Sequence, residues 1–136
     1  MRKTLFTVVL SVWILGFWQT ALPAQEAENT LAKKLVETSG IKAGLCVHLG
    51  VTDGKLTAEL GKAGKFIVHG LSSDQETTDK ARVCIQEQKL YGQVSVERGD
   101  FSRLPYADNL VNLLVLDDLS TLLKKGLSLR AISVGK

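Results

Sequence analysis

Residues 44–54 have the sequence Gly-Leu-Cys-Val-His-Leu-Gly-Val-Thr-Asp-Gly, and this stretch decides the predicted fold. Its first six residues form a nearly continuous apolar run, which is typical of a β-strand buried on both faces. The glycines at positions 50 and 54 break the strand, and residues 55–62 then have the spacing of a short helix. A buried strand, a glycine loop and a helix in this order predict an α/β unit with a parallel sheet.

The same alternation of strand and helix continues along the chain. Three further apolar runs predict strands at 66–71, 94–98 and 110–116. In parallel sheets, ligands bind beyond the carboxyl ends of the strands. The segments that follow the four predicted strands are therefore the candidate binding segments, at 50–54, 72–74, 100–109 and 117–118.

Three further helices are predicted between and around these strands. The first follows a polar start at 25–29, shows apolar residues at helical spacing from Leu31, and ends at Gly40. The second begins at Ser73, where Ser-Asp-Gln-Glu has the spacing of a capping box, and continues to about Leu90. The last is amphipathic and begins near Leu119.

Residues 1–24 have the pattern of a secretory signal peptide. Arg2 and Lys3 precede an uncharged apolar run at 5–18, and Ala24 supplies a small residue at the exit. The run is short for a transmembrane helix, which needs about 20 apolar residues. We therefore expect cleavage after Ala24, export to the periplasm or the exterior, and a mature domain at 25–136; an uncleaved anchor is the alternative.

The composition excludes several classes of protein. The 136 residues are enough for one domain, and the formal net charge is only +3, to which Arg2 and Lys3 contribute. No basic surface indicates a nucleic acid or, after signal cleavage, a membrane as partner. Two cysteines are too few for a disulfide-rich scaffold or a four-thiolate zinc site, although a pair oxidised after export stays open. His48 and His69 have no evident third ligand, so no metal site is predicted.

The glycine loop is more informative when it is considered together with the segments that follow it. Residues 48–57 (His-Leu-Gly-Val-Thr-Asp-Gly-Lys-Leu-Thr) resemble the first motif of class I S-adenosylmethionine-dependent methyltransferases, and residues 68–72 resemble their second strand. Residues 98–109 (Arg-Gly-Asp-Phe-Ser-Arg-Leu-Pro-Tyr-Ala-Asp-Asn) resemble the third motif, and residues 112–116 follow where the family has its fourth strand. The resemblance covers about residues 30–118 in order. It implies an incomplete doubly wound, Rossmann-like parallel sheet with strand order 3-2-1-4.

The resemblance also implies a site for S-adenosylmethionine. In it, Gly50 and Gly54 border the methionine part of the cofactor, and Ser72 stands at the position that holds the ribose. Asp100 accepts a hydrogen bond from the adenine amino group, and Phe101 flanks the ring. These assignments agree with the chemistry of adenine, whose exocyclic amine needs an acceptor and whose face needs an apolar wall.

The chain departs from the family at three of its positions. The family usually has acidic residues where this chain has His48 and Ser72, and glycine where it has Thr52. A serine offers one hydroxyl where a carboxylate offers two charged acceptor oxygens, so we expect weak cofactor binding. Asp74 lies close enough along the chain to replace the missing carboxylate, although a place in the first turn of the following helix also suits it.

The fold of the family normally has seven strands, and this sequence supplies four. The strand at 110–116 is too apolar for an open sheet edge, so the domain is expected to be truncated and covered there by a missing C-terminal portion or a partner chain. The chain also resembles the N-terminal segment of secreted planctomycete proteins in which a methyltransferase-like segment precedes a quinoprotein-like β-propeller. Two functions follow: a methyltransferase-like domain of unknown acceptor, or a non-catalytic exported fragment that serves as a binding or spacer module.

Overall fold

The computed structural model describes residues 24–128 and 130, which build a four-stranded parallel sheet with helices on both faces. The sheet has the spatial order β3-β2-β1-β4, and all three strand pairs are parallel. The predicted α/β class and strand order are thereby confirmed. The predicted signal peptide lies, apart from Ala24, outside the described residues. The strands are β1 (Ala43–Leu49), β2 (Lys65–Ser72), β3 (Val94–Arg98) and β4 (Leu113–Leu116), and the helices are α1 (Ala24–Ser39), α2 (Lys55–Ala63), α3 (Gln75–Glu87) and α4 (Leu119–Lys124).

The central strand β1 is buried on both faces from Cys46 to Leu49, as its nearly continuous apolar sequence predicts. Cys46 faces a core shared with helices α1 to α3, which contains Phe66 and Ile85. Val47 and Leu49 face the opposite core, which is formed with α4 and the loop between β3 and β4. The two cores fix the sheet between its helices, and this arrangement holds the carboxyl ends of the strands together.

Helix α1 begins at Ala24, so it includes the polar residues 25–29 that precede the apolar spacing recognised from Leu31. Gln25 and Asn29 donate hydrogen bonds to the buried carboxylate of Glu59 in α2, over 3.3 and 2.7 Å. Lys62 also donates to Glu59, over 2.8 Å. The bonds from Gln25 and Asn29 join residues far apart in the chain, so the local hydrophobic pattern cannot reveal them.

Helix α3 begins later than the capping box predicts. Asp74, rather than Ser73, is the N-cap, and its carboxylate accepts a hydrogen bond from the Thr77 amide over 2.9 Å. The helix ends at Glu87, short of the predicted Leu90. Aspartate and serine are equally good N-caps, so the sequence alone does not decide which of these two adjacent residues caps the helix.

Strand β4 is shorter than the predicted run at 110–116. The side-chain oxygen of Asn112 accepts from the Leu45 amide over 2.9 Å, and the Asn112 amide donates to the Leu45 carbonyl over 2.9 Å. The Asn112 side chain therefore takes the bond that a strand carbonyl would make, and regular pairing with β1 starts at Leu113.

Three further features were considered from the sequence: the state of the two cysteines, a metal site and a membrane-spanning helix. Cys46 and Cys84 are free thiols, and burial raises the pKa of Cys46 to about 12. No cluster of three or more potential metal ligands occurs among the described residues. Within the same residues, every helix is too short or too polar to cross a membrane.

Candidate ligand-binding site

The carboxyl ends of all four strands converge on one open depression. Gly50 follows β1, Ser72 ends β2, Asp100 follows β3 and Asp117 follows β4, and each of them lines it. The depression has two adjoining parts, of about 250 Å³ near β4 and about 420 Å³ near β3. We call them the β4 part and the β3 part. All four segments selected from the sequence contribute residues to this depression.

Gly50 borders the β4 part, and its backbone conformation requires glycine. Its φ is 88°, and an added Cβ would lie 3.2 Å from Leu122 Cδ2 and 3.5 Å from Asp117 Cβ. The amides of Gly50 and Val51 both donate to the Leu71 carbonyl, over 3.0 and 3.2 Å. The glycine therefore brings the backbone close to β4 and α4, while its amide is engaged within the sheet.

Gly54 lies away from the lining of the depression and has a packing role. It is the N-cap of α2 with a φ of 81°, and an added Cβ would lie 2.8 Å from Ala81 Cα. The absence of a side chain lets the start of α2 contact the middle of α3. The structure thus brings only one of the two predicted loop glycines to the site.

Ser72 lies at the end of β2, where the sequence placed it, and is only 3% exposed. Its hydroxyl exchanges two long hydrogen bonds, of 3.3 and 3.4 Å, with the backbone of Asp74. The Asp74 carboxylate is occupied by the Thr77 hydroxyl and amide, and these bonds lower its pKa. Asp74 thus caps α3, and Ser72 remains as the polar side chain at the end of β2.

Asp100 and Phe101 follow β3 but differ in their exposure. Asp100 is exposed, and its two oxygens accept from the Ser102 amide over 2.8 Å and the Ser102 hydroxyl over 2.7 Å. These bonds lower the pKa of Asp100, which keeps further lone pairs for a ligand. Phe101 reaches the rim of the β3 part, yet it is 1% exposed and packs in the core with Leu49 and Leu71. The ring of Phe101 is therefore a core side chain in this structure.

Two aspartates form the predicted binding segment at 117–118 and line the depression, although the sequence indicated no individual role for either. Asp118 is the N-cap of α4, and hydrogen bonds from Thr121 and Ser120 lower its pKa to about 2. Partial burial raises the pKa of Asp117, and the nearby carboxylates of Asp118 and Asp53 raise it further. Asp117 makes no ion pair within the described part of the chain. Their place directly after an apolar strand is the sequence feature that selected this segment.

Two cations line the β3 part, and neither was singled out from the sequence. Arg98 is the last residue of β3, and Lys125 directly follows α4. Lys125 borders both parts of the depression. Its place depends on how α4 packs back over the sheet, which the sequence pattern does not specify.

No protein-family model matches the sequence, and no curated protein does either. Solved structures match it with low identity. A candidate S-adenosyl-L-methionine-dependent methyltransferase from Methanococcus maripaludis is 23% identical with a TM-score of 0.64, and the match covers 76% of this chain and 52% of that one. Magnesium protoporphyrin IX methyltransferase from Synechocystis, solved with bound S-adenosylhomocysteine, is 21% identical with a TM-score of 0.56, covering 71% of this chain and 42% of that one.

The [4+2]-cyclase SpnF also matches, with 21% identity and a TM-score of 0.59, over 65% of this chain and 33% of that one. The chain spans about half or less of the length of these three proteins. These similarities establish that the described residues have the Rossmann-like fold found in S-adenosylmethionine-dependent methyltransferases. The cyclase is a reminder that a fold does not by itself specify a reaction.

Proposed function

We propose that this chain is a methyltransferase-like domain that binds S-adenosylmethionine, with a methyl acceptor that is unknown. The observation that carries the proposal is the convergence of Gly50, Ser72 and Asp100 on one depression at the carboxyl ends of the strands. These are three of the five residues to which the family resemblance assigns cofactor contacts. Proteins of this fold include methyltransferases solved with the cofactor or its product bound.

The charge of the β4 part suits the methionine end of this cofactor. The cofactor carries a sulfonium and an ammonium group, and it supplies an electrophilic methyl group when bound. Asp117 lies next to Gly50 and has no ion-pair partner in the described part of the chain. An unpaired carboxylate in a partly buried position attracts such a cation more strongly than one in open solvent.

The fit at the adenosine end is weaker. Asp100 is able to accept a hydrogen bond from the adenine amine, but Ser72 offers one hydroxyl to a ribose that presents two. The buried ring of Phe101 offers no open face for adenine. We therefore expect S-adenosylhomocysteine to bind with an affinity well below that of a site with a carboxylate at the end of β2.

Calorimetric titration with S-adenosylhomocysteine tests this proposal. A saturable heat whose affinity falls about tenfold when Asp100 is replaced by alanine supports it. A folded chain that gives no heat at millimolar ligand contradicts it and favours the second candidate, a non-catalytic binding or spacer module. The observations in favour of that candidate are the internally engaged amide of Gly50 and the buried ring of Phe101.

We also propose that the protein is exported through a signal peptide at residues 1–24. The sequence pattern supports this, and so does the bonding of α1, because cleavage after Ala24 would keep Gln25 and Asn29 attached to Glu59. Mass spectrometry of fractionated cells is the measurement. A mature chain beginning within two residues of Gln25 in the exported fraction is expected, and an intact chain in the cytoplasm would contradict it.

A last part of the proposal concerns the open side of β4. Among the described residues β4 pairs with β1 alone, and Leu119 and Leu123 nearby are 44% and 42% exposed. We propose that further chain covers this side. Sequencing the transcript downstream of the Lys136 codon tests this, and a stop codon in every frame directly after it would count against it.

A further inference from the structure

The β3 part of the depression brings basic and hydroxyl side chains together. Ser72 of β2 and Arg98 of β3 are register partners, and the Gly99 amide donates to the Ser72 carbonyl over 2.9 Å. Ser72 lines the adjoining β4 part, whereas Arg98, Ser73 and Lys125 line the β3 part, of about 420 Å³. The cations Arg98 and Lys125 thus lie beside the end of β2, where the chain has two consecutive serines.

Asp100 lines this part and Asp74 lies near Lys125, and both carboxylates already accept hydrogen bonds from their own loops. Asp74 accepts from the Thr77 amide and hydroxyl over 2.9 and 2.7 Å, and Asp100 accepts from the Ser102 amide and hydroxyl. Arg98 makes no hydrogen bond or ion pair through its guanidinium group within residues 24–128 and 130. The Lys125 ammonium group is likewise without a partner there. The unused hydrogen-bonding capacity at this end consists mainly of donors.

We infer that the β3 part is an anion subsite, and that its ligand is a nucleotide whose ribose carries a phosphate group. In dinucleotide-binding folds a carboxylate after the second strand binds the free ribose hydroxyls, whereas a nearby arginine accommodates a ribose phosphate. Here the second strand ends in Ser72, and Arg98 is its neighbour on the next strand. A guanidinium group binds phosphate through two parallel hydrogen bonds, a geometry that lysine cannot reproduce.

This inference goes beyond the proposed function, because S-adenosylhomocysteine carries no phosphate. Asp74 and Asp100 balance the charges of Arg98 and Lys125, so the subsite is close to neutral before a ligand binds. Selectivity for phosphate then rests on the directed donors of Arg98, with Lys125 adding charge. An Arg98→Gln substitution should therefore remove more affinity than Lys125→Gln.

Calorimetric titrations of the full chain with five probes test the inference: adenosine, adenosine 2′-monophosphate, adenosine 3′-monophosphate, inorganic phosphate and S-adenosylhomocysteine. We expect at least one monophosphate to bind about tenfold more tightly than adenosine, which is the effect of one charge-assisted interaction. Arg98→Gln should abolish this preference, and Lys125→Gln should reduce it severalfold. The matched controls are Arg103→Gln in the loop after β3 and Lys124→Gln at the end of α4, which remove exposed cations outside the lining.

The outcomes separate this inference from the proposed function. Equal affinity for adenosine and both monophosphates, or equal effects of Arg98→Gln and Arg103→Gln, overturns it. Inorganic phosphate binding as tightly as the nucleotides, with the same loss in Arg98→Gln, supports the anion subsite and identifies free phosphate as its ligand. Binding of S-adenosylhomocysteine without a phosphate preference overturns the inference and leaves the proposed function standing. A phosphate preference without binding of S-adenosylhomocysteine supports the inference and contradicts the proposed function.

Discussion

The Nδ1 atom of His48 lies 2.9 Å from the Oγ1 atom of Thr57, a contact that joins β1 to α2 inside the core. Both side chains are buried, and the Nε2 atom of His48 has no hydrogen-bond partner among the described residues. The family that the sequence resembles usually has an acidic residue at this position. A buried, half-satisfied imidazole is costly when neutral and more costly when charged.

This contact predicts a pH-dependent stability. Burial lowers the pKa of His48 from 6.5 to about 4, so the unfolded chain binds more protons between these values. The free energy of unfolding should therefore fall as the pH falls from 6.5 to 4, by about 3 kcal/mol, and this contribution should be fully present above pH 6.5. Urea unfolding measured at several pH values, monitored by circular dichroism, provides the test.

His48→Leu isolates this contribution from the carboxylates that titrate in the same range. The variant should lose the His48 part of the pH dependence and be more stable than the parent below pH 5. His69→Gln is the matched control, since His69 is only partly buried and bonds to Tyr106. Parallel pH profiles for His48→Leu and the parent chain would show that His48 is not the group responsible.

The second prediction compares two glycines with positive φ, one packed against a neighbouring helix and one with open space around it. Gly54→Ala should destabilise the fold by more than about 2 kcal/mol, because the new Cβ would meet the Ala81 backbone at 2.8 Å in addition to the backbone strain. Gly92→Ala is the control, with a φ of 99° and nothing within 4 Å of its Cβ, so only the strain of about 1 kcal/mol applies. Equal unfolding midpoints for the two variants would contradict the packing role assigned to Gly54.

The third prediction separates the core role of Phe101 from a ligand role. Phe101→Ala should lower the free energy of unfolding by about 3–5 kcal/mol, because the ring is fully buried against Leu49 and Leu71. Phe101→Leu, which retains most of the apolar volume, should have a much smaller effect. A Phe101→Ala chain as stable as its parent would mean that the ring does not fill this core and is free to contact a ligand.

The sequence predicted the fold because strands appear in it as short apolar runs and helices as apolar residues at helical spacing. The start of α1 was missed because Gln25 is held by Glu59, which lies in another helix. In the site, glycine position and strand order predicted where Gly50 and Ser72 lie. Spacing cannot distinguish a ring that lines a pocket from one that fills the core, so the burial of Phe101 was not predictable. Lys125 was missed for a similar reason, since tertiary packing alone brings it to the depression.

The last prediction uses Ser72 to compare the two ligand classes. Ser72→Asp would place a two-oxygen, charged acceptor at the end of β2, which suits free ribose hydroxyls and opposes a ribose phosphate. Affinity for S-adenosylhomocysteine should therefore rise by about 1–2 kcal/mol, while any affinity for adenosine monophosphates should fall by a similar amount. Calorimetry on the parent and variant chains measures both effects.

A control variant and a second substitution make this comparison specific. Ser95→Asp adds the same charge at an exposed position of β3 outside the lining, and should change neither affinity appreciably. Asp100→Ala should weaken S-adenosylhomocysteine binding by about 1–2 kcal/mol, because it removes a charged acceptor for the adenine amine. If Ser72→Asp and Ser95→Asp change both affinities equally, the ribose of neither ligand lies at Ser72, because a general charge effect would then account for the result. Opposite changes for the two ligands in Ser72→Asp, with neither affinity changed in Ser95→Asp, indicate a direct contact at Ser72, because a remote charge would act from both positions.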